Sequence, residues 1–245
     1  MNAQPEDQLR LLDLQAIDSA IDRLAHRRAT LPELTQLAEL TVRQEALGAD
    51  VVRAQTEVGD LDREQRKLEL DIEQVRGRAD RDRQRMAVST SPKEAEGLQH
   101  EVGSLARRQG DLEDQLLELM ERREDAGKQL DAVTAQLDAA DAAFEVATAG
   151  RDKASAEIDA GVLEQQVERQ ATAADLPADL LALYERIRES SGGTGAARLY
   201  RHRCEGCHLE LSGGDLAAVR SAPADEVVRC EECRRILIRT PESGL

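Results

Sequence analysis

Apolar residues recur along most of this chain at alternating spacings of three and four. Leu14, Ile17, Ile21 and Leu24 open the series, which then reaches Leu31. Pro32 follows directly, and a proline inside a helix removes a hydrogen bond and clashes with the preceding turn, so a kink or short break is expected there. The series resumes in a shifted register as Leu47, Val51, Ala54, Val58, Leu61, Gln65, Leu68, Ile72, Val75 and Ala79. That is a heptad seam with one polar position. A second arm runs through Leu98, Val102, Leu105, Gln109, Leu112, Leu116 and Leu119. It continues as Arg123, Ala126, Leu130, Val133, Leu137, Ala140, Phe144, Ala147, Arg151, Ala154 and Ile158. Its small alanines let two helices approach closely, and Phe144 reads as a core residue filling one layer.

Between the arms lies Ser89-Thr90-Ser91-Pro92-Lys93-Glu94. Ser91 is placed to cap a helix, Pro92 suits its first position, and Glu94 completes a capping box. The expected fold class is therefore mainly α: an elongated antiparallel coiled-coil hairpin over residues 6–172, with its turn near 87–91. Each arm of roughly 80 residues would extend about 120 Å. A monomeric hairpin is the simplest arrangement. Two parallel chains are the competing one, because a heptad does not report strand direction. The arginines from Arg76 to Arg85 make the strongest basic cluster of the first arm, near the expected tip.

Residues 173–195 read as a short helix followed by a hinge. Leu176, Leu180, Leu181, Leu183, Tyr184 and Ile187 supply an apolar face that can cover the hairpin base. Ser190-Ser191-Gly192-Gly193-Thr194-Gly195 has the composition of a flexible linker. No Gly-Lys-Ser/Thr follows those glycines, so they do not make a phosphate-binding loop.

Composition narrows the picture. One phenylalanine, two tyrosines and no tryptophan argue against a large globular core. A third of the residues are charged and the net charge is −16, which disfavours generic attraction to nucleic acid. No apolar stretch approaches membrane-spanning length, so the chain is expected to be cytoplasmic, with reduced thiols available to a metal.

The four cysteines carry the chemistry. Cys204-x2-Cys207 and Cys230-x2-Cys233 are separated by 22 residues, the spacing of a four-cysteine zinc ribbon over residues 196–240. Four thiolates close a tetrahedral Zn2+ site with no position left for substrate, so one structural Zn2+ is expected. An iron–sulfur centre or a dithiol redox pair shares this spacing, since ligand spacing alone does not identify the metal. Gly213-Gly214 marks a turn between the knuckles, Ile236-Leu237-Ile238 reads as a strand, and replacing Cys204 or Cys230 is expected to unfold the ribbon while sparing the hairpin. Arg198, Arg201, Arg203, Arg229, Arg234, Arg235 and Arg239 flank the knuckles and are candidate nucleic-acid or partner contacts. Against them, the segment from Arg198 onward carries as many acids as basic residues. The histidines His26, His100, His202 and His208 are scattered, and enzyme activity is not expected.

The capped turn Ser91-Pro92-Lys93-Glu94, the Leu176-Pro177 and Tyr184-Glu185-Arg186-Ile187 segments, Cys204-Glu205-Gly206-Cys207-His208, and Cys230-Glu231-Glu232-Cys233-Arg234-Arg235-Ile236-Leu237 together carry a resemblance. The chain resembles the bacterial four-cysteine zinc-ribbon proteins with a long N-terminal helical hairpin, a group that includes flagellar regulators. That resemblance implies a non-enzymatic adaptor in transcriptional or post-transcriptional regulation, with zinc held by Cys204, Cys207, Cys230 and Cys233. It implies a protein partner, such as the alternative sigma factor bound by some members, and favours RNA over DNA as a second one. Direct nucleic-acid binding through the ribbon arginines is the alternative.

Overall fold

The computed structural model describes residues 1–245. Five helices account for most of the chain: α1 (Pro5–Ala29), α2 (Pro32–Val88), α3 (Pro92–Ala174), α4 (Ala178–Ser190) and α5 (Gly213–Ser221). Three short strands, β1 (Ala196–Tyr200), β2 (Arg203–Cys204) and β3 (Ile236–Ile238), form one sheet in the order β2-β1-β3. The protein is mainly α, with long helices paired as an antiparallel coiled-coil hairpin and a small four-cysteine region after it. None of the helices is long and apolar enough to cross a membrane.

The chain divides into two compact units: Thr35–Thr148, and Met1–Leu34 together with Ala149–Leu245. In the first, the pairing of α2 with α3 is antiparallel. Gln44 donates to Asp141, Arg123 to Asp62 and Arg78 to Glu101, so numbers fall on one arm as they rise on the other. Leu61, Leu119 and Ala126 form a buried layer flanked by Val58 and Leu68. Every expected seam position of this unit is buried or half-buried except Arg123, which is exposed and reaches Asp62 at 2.9 Å. Phe144 is half-buried rather than fully enclosed.

The seam runs one step beyond Ala79 into Asp82, only 8% exposed, with Arg78 and Arg85 each within 4 Å. Arg78 also pairs with Glu101 and Arg83 with Asp80. Much of the basic cluster near the turn is therefore matched by neighbouring acids. At the turn itself, Ser91 precedes α3 as expected, but Ser89 rather than Glu94 bonds the Ser91 N–H. The Ser89 Oγ accepts from the Ser91 N–H and donates to Glu94, while the Ser91 carbonyl accepts from the Ala95 N–H.

The second unit packs α1 and α4 against the sheet, and the last part of α3 joins those two helices through Arg169. α1 stops at Thr30, because Pro32 restricts the residue before it and begins α2 instead. Leu11, Leu14, Leu180, Tyr184 and Ile187 share one core with Ala196, Ile236 and Ile238. This core crosses the boundaries read from sequence, since the hairpin base and the ribbon strands bury one another. The amino terminus joins it too: the Ala3 N–H donates to the Asp225 carbonyl and the Val227 N–H to that of Met1.

The Gly/Ser-rich segment 190–195 is not a free hinge. Gln15 donates to the Gly193 carbonyl and accepts from the Gly195 and Ala196 N–H groups. A Cβ on Gly195 would lie 2.7 Å from the Tyr184 ring and from its carbonyl oxygen. Glycine here serves close approach, not motion. Gly213-Gly214 likewise opens α5 rather than forming a turn, with Ser212 Oγ capping the Asp215 N–H.

Candidate metal centre

The two cysteine pairs sit on two knuckles built from the same parts. In the first, the His208 N–H donates to the Cys204 carbonyl at 2.8 Å and the Cys204 N–H to Leu209. In the second, the Arg234 N–H donates to the Cys230 carbonyl at 2.8 Å and the Cys230 N–H to Arg235. His208 and Arg234 both adopt the left-handed conformation, with φ of 63° and 62°. An arginine precedes each pair and bonds the carbonyl of that left-handed residue: Arg203 to His208 at 2.6 Å, and Arg229 to Arg234 at 3.2 Å. The repeat Arg-Cys-Glu-x-Cys is visible in the sequence at 203–207 and 229–233, and its meaning is structural.

The geometry suits a metal. All four sulfurs lie within 4.8 Å of one another, and Cys204–Cys233 and Cys207–Cys230 are each 3.9 Å apart. A zinc ion held by four sulfurs at about 2.3 Å requires sulfur–sulfur edges of about 3.8 Å. The first cysteine of each pair is buried and the second is half-buried. Four thiolates so placed fit one structural Zn2+ and leave it no open coordination position.

The surroundings set how readily the free thiols ionise. Burial pushes Cys204 up to about 12, partly offset by the N–H groups of Cys207 and Gly206. Burial also raises Cys230, against the N–H groups of Cys233 and Glu232. Burial acts upward on Cys233 as well, but the Arg235 N–H, the Arg235 side chain and neighbouring thiols outweigh it, leaving about 7. Metal binding must displace protons from the buried pair, and the electrostatic attraction of Zn2+ supplies the driving force.

Arg235 links this centre to the rest of its unit. Its guanidinium donates to the carbonyls of Thr194 and Ser191 at 3.1 and 2.8 Å. Gly206 makes that path available, because a Cβ there would meet Arg235 Cδ at 2.7 Å. Arg239 donates to four carbonyls, those of Ala222, Pro223, Ala224 and Glu226. Of the seven candidate contact arginines, Arg203, Arg229 and Arg239 thus bond the ribbon's own backbone and Arg235 that of the connector before it. Arg234 pairs with Glu231 at 3.0 Å and Arg198 lies 3.9 Å from Glu205. Arg201 stands 5.3 Å over the Tyr200 ring. Two of the seven side chains, those of Arg203 and Arg229, build the knuckles, while Arg235 holds the connector and Arg239 the loop after α5.

Behind the ribbon lies a polar network that sequence reading missed. Asp18, 1% exposed, accepts from Tyr184 at 2.6 Å and from Arg169 at 2.6 Å, with Arg188 at 3.3 Å. The one available signal was Gln15 and Asp18 standing beside Leu14 and Ile17 on the apolar face of α1. Polar residues at such positions call for buried partners.

Comparison with known proteins agrees with this architecture. The CT398-like coiled coil hairpin domain matches residues 14–192, and the C4-type zinc ribbon domain matches residues 203–237. An uncharacterized protein of Mycobacterium tuberculosis (strain ATCC 25618 / H37Rv) is 39% identical over 98% of both chains. A solved structure from Mycobacterium smegmatis has a TM-score of 0.87 at 36% identity, covering 98% of this chain and 100% of that one. CT398 from Chlamydia trachomatis, at 19% identity, shares the fold with a TM-score of 0.70 over 96% of this chain and 98% of its own. The paired helices, the doubled knuckle and these matches together establish that the chain belongs to the CT398-like coiled-coil hairpin family, continued by a C4-type zinc ribbon.

Proposed function

We propose that the protein is a non-enzymatic, cytoplasmic adaptor that binds a protein partner in transcriptional or post-transcriptional regulation. The observation that carries this reading is the engagement of the ribbon's own chemistry. The four thiolates close the metal, and four flanking arginines bond backbone carbonyls. A structural metal and internally bonded arginines leave the surface of the module, rather than a reactive centre, to do the work. On the hairpin, Leu117 and Met120 are 60% and 47% exposed and share a cleft with Asp62, Gln65 and Arg66. Exposed apolar side chains grouped in a cleft with a polar surround suit a protein interface.

RNA binding is the second reading. Its support is the exposed Tyr200 with Arg201 over its ring, next to Arg198 on the same strand end, which offers one stacking platform. That is a small positive surface for a chain of net charge −16.

Affinity capture from the native cytoplasm, with the intact zinc-loaded chain and a Cys204→Ser/Cys230→Ser chain as baits, separates the two. The adaptor reading expects a specific protein that is recovered with the intact chain and lost with the variant. Recovery of RNA alone, lost on Arg201→Glu and weakened by salt, would put the second reading first.

A further inference from the structure

A cleft of about 400 Å³ opens on the ribbon between α5 and the segment that leads into the second knuckle. Val219 lies in it, 4% exposed and packed with Leu199, Cys204, Cys230 and Leu237. Leu211, Ala218 and Val228 add apolar surface, and the carboxylates of Asp215, Glu226 and Glu231 complete the lining. Arg229 is the sole basic residue there, and its Nε is held by the Arg234 carbonyl. Three carboxylates against one guanidinium make the lining anionic, and the neighbouring four-thiolate zinc site adds about −2.

The walls are held in place before any ligand arrives. Arg239 bonds the carbonyls of Ala222, Pro223, Ala224 and Glu226, fixing the loop on one side. Ser212 caps the start of α5 on the other. A preformed cleft loses less entropy on binding than one that must order itself. The exposed pair of Glu231 with Arg234 is weak enough for an incoming cation to replace.

We propose that this cleft docks a short extended segment of a partner protein. One leucine-like side chain packs over Val219 against Leu211, Ala218 and Val228, and flanking lysine or arginine side chains meet Glu226 and Glu231. The proposal rests on the adaptor reading and assigns it a surface. Charge complementarity selects the occupant: the carboxylates that attract a basic peptide repel the phosphates of a nucleic acid.

The test uses the full-length zinc-loaded chain with methyl-labelled alanine, leucine and valine. The probe is a heptapeptide with a central leucine between serines and a pair of lysines at each end. Its controls carry glutamates for the lysines, or serine for the leucine, and a short oligouridylate serves as competitor. Saturable shifts of the Ala218, Val219 and Val228 methyls are expected with the lysine peptide. Affinity should fall about tenfold or more for either control peptide, and likewise for Ala218→Arg and Glu226→Lys. Both substituted side chains are exposed, and unchanged zinc content will show that the ribbon is intact. An equal response to the glutamate peptide, shifts confined to other methyls, or displacement by oligouridylate would each overturn the proposal. Using Ala218→Arg as a capture bait keeps the two readings apart. A protein recovered undiminished by this variant, while the peptide misses the cleft, sinks the cleft and leaves the adaptor standing. Capture of RNA alone removes the adaptor, and the peptide titration still decides the cleft.

Discussion

Asp18 of α1 gathers hydrogen bonds from two other helices, since Tyr184 comes from α4 and Arg169 from α3. Burial and the adjacent carboxylate hold Tyr184 protonated, well above the usual phenol range, so it donates to Asp18 across neutral pH. Removing one member of a buried charged pair costs about 3–5 kcal/mol, because its partner remains buried without compensation. Arg169 is a quarter exposed, which places Asp18→Asn toward the lower end. Tyr184→Phe should cost about 1–2 kcal/mol through loss of one buried hydrogen bond. Thermal or urea unfolding of both variants checks the order; equal, negligible shifts would show that the network does not stabilise the unit. In sequence Tyr184 is legible only as part of an apolar face. Its hydroxyl partner lies 166 positions away, and no local pattern reports such a pairing.

Among the elements, the hairpin helices carry glycines that their packing does not require. At Gly103, Gly110 and Gly127 an added Cβ would meet nothing within 4 Å. Glycine costs a helix interior about 1 kcal/mol relative to alanine. Alanine at each position should therefore stabilise the helix pair by up to about 1 kcal/mol, read as a rise in the helical melting temperature. Gly195→Ala should do the reverse, because its Cβ would strike Tyr184. A stabilising Gly195→Ala would show that the connector yields where the structure holds it close. The arms were readable, because a seam requires only period, while their antiparallel pairing was settled by contacts such as Gln44 with Asp141 and Arg78 with Glu101. The connector was not, since its composition matches a flexible linker while Gln15 and Arg235 hold it from distant positions.

At the scale of the molecule, strands β1 and β3 carry the cysteine-bearing core on one side and the core shared with α1 and α4 on the other. β1 and β3 place Ala196, Ile236 and Ile238 in the same core as Leu11, Leu14 and Tyr184. Zinc removal is therefore expected to loosen α4 and the first turns of α1 as well as the ribbon, rather than the ribbon alone. Hydrogen exchange with and without a strong chelator should show faster exchange in those helices and none around Leu61, Leu119 and Ala126. Unchanged protection of α1 and α4 would return the ribbon to an independent domain. The same loss is expected on acidification. The ligands are thiolates, free Cys233 has a pKa of about 7 and Cys204 about 12, so falling pH lets protons compete for every sulfur and weakens zinc binding. Zinc occupancy against a fixed competitor should fall monotonically as pH is lowered from 8.

The sequence alone determined the features that depend on period and spacing. Heptads select paired helices, Pro32 and Pro92 mark helix starts, and two Cys-x2-Cys pairs specify a four-thiolate metal site. Each of these is a local rule whose cause lies within a few residues. Tertiary structure decided what the remaining polar side chains do. Arg203, Arg229, Arg235 and Arg239 read equally well as contacts for a partner, and only the fold brings backbone carbonyls within reach of their guanidinium groups. It likewise joined the hairpin base to the ribbon, because apolar surface is buried by whatever surface lies opposite it, regardless of separation along the chain.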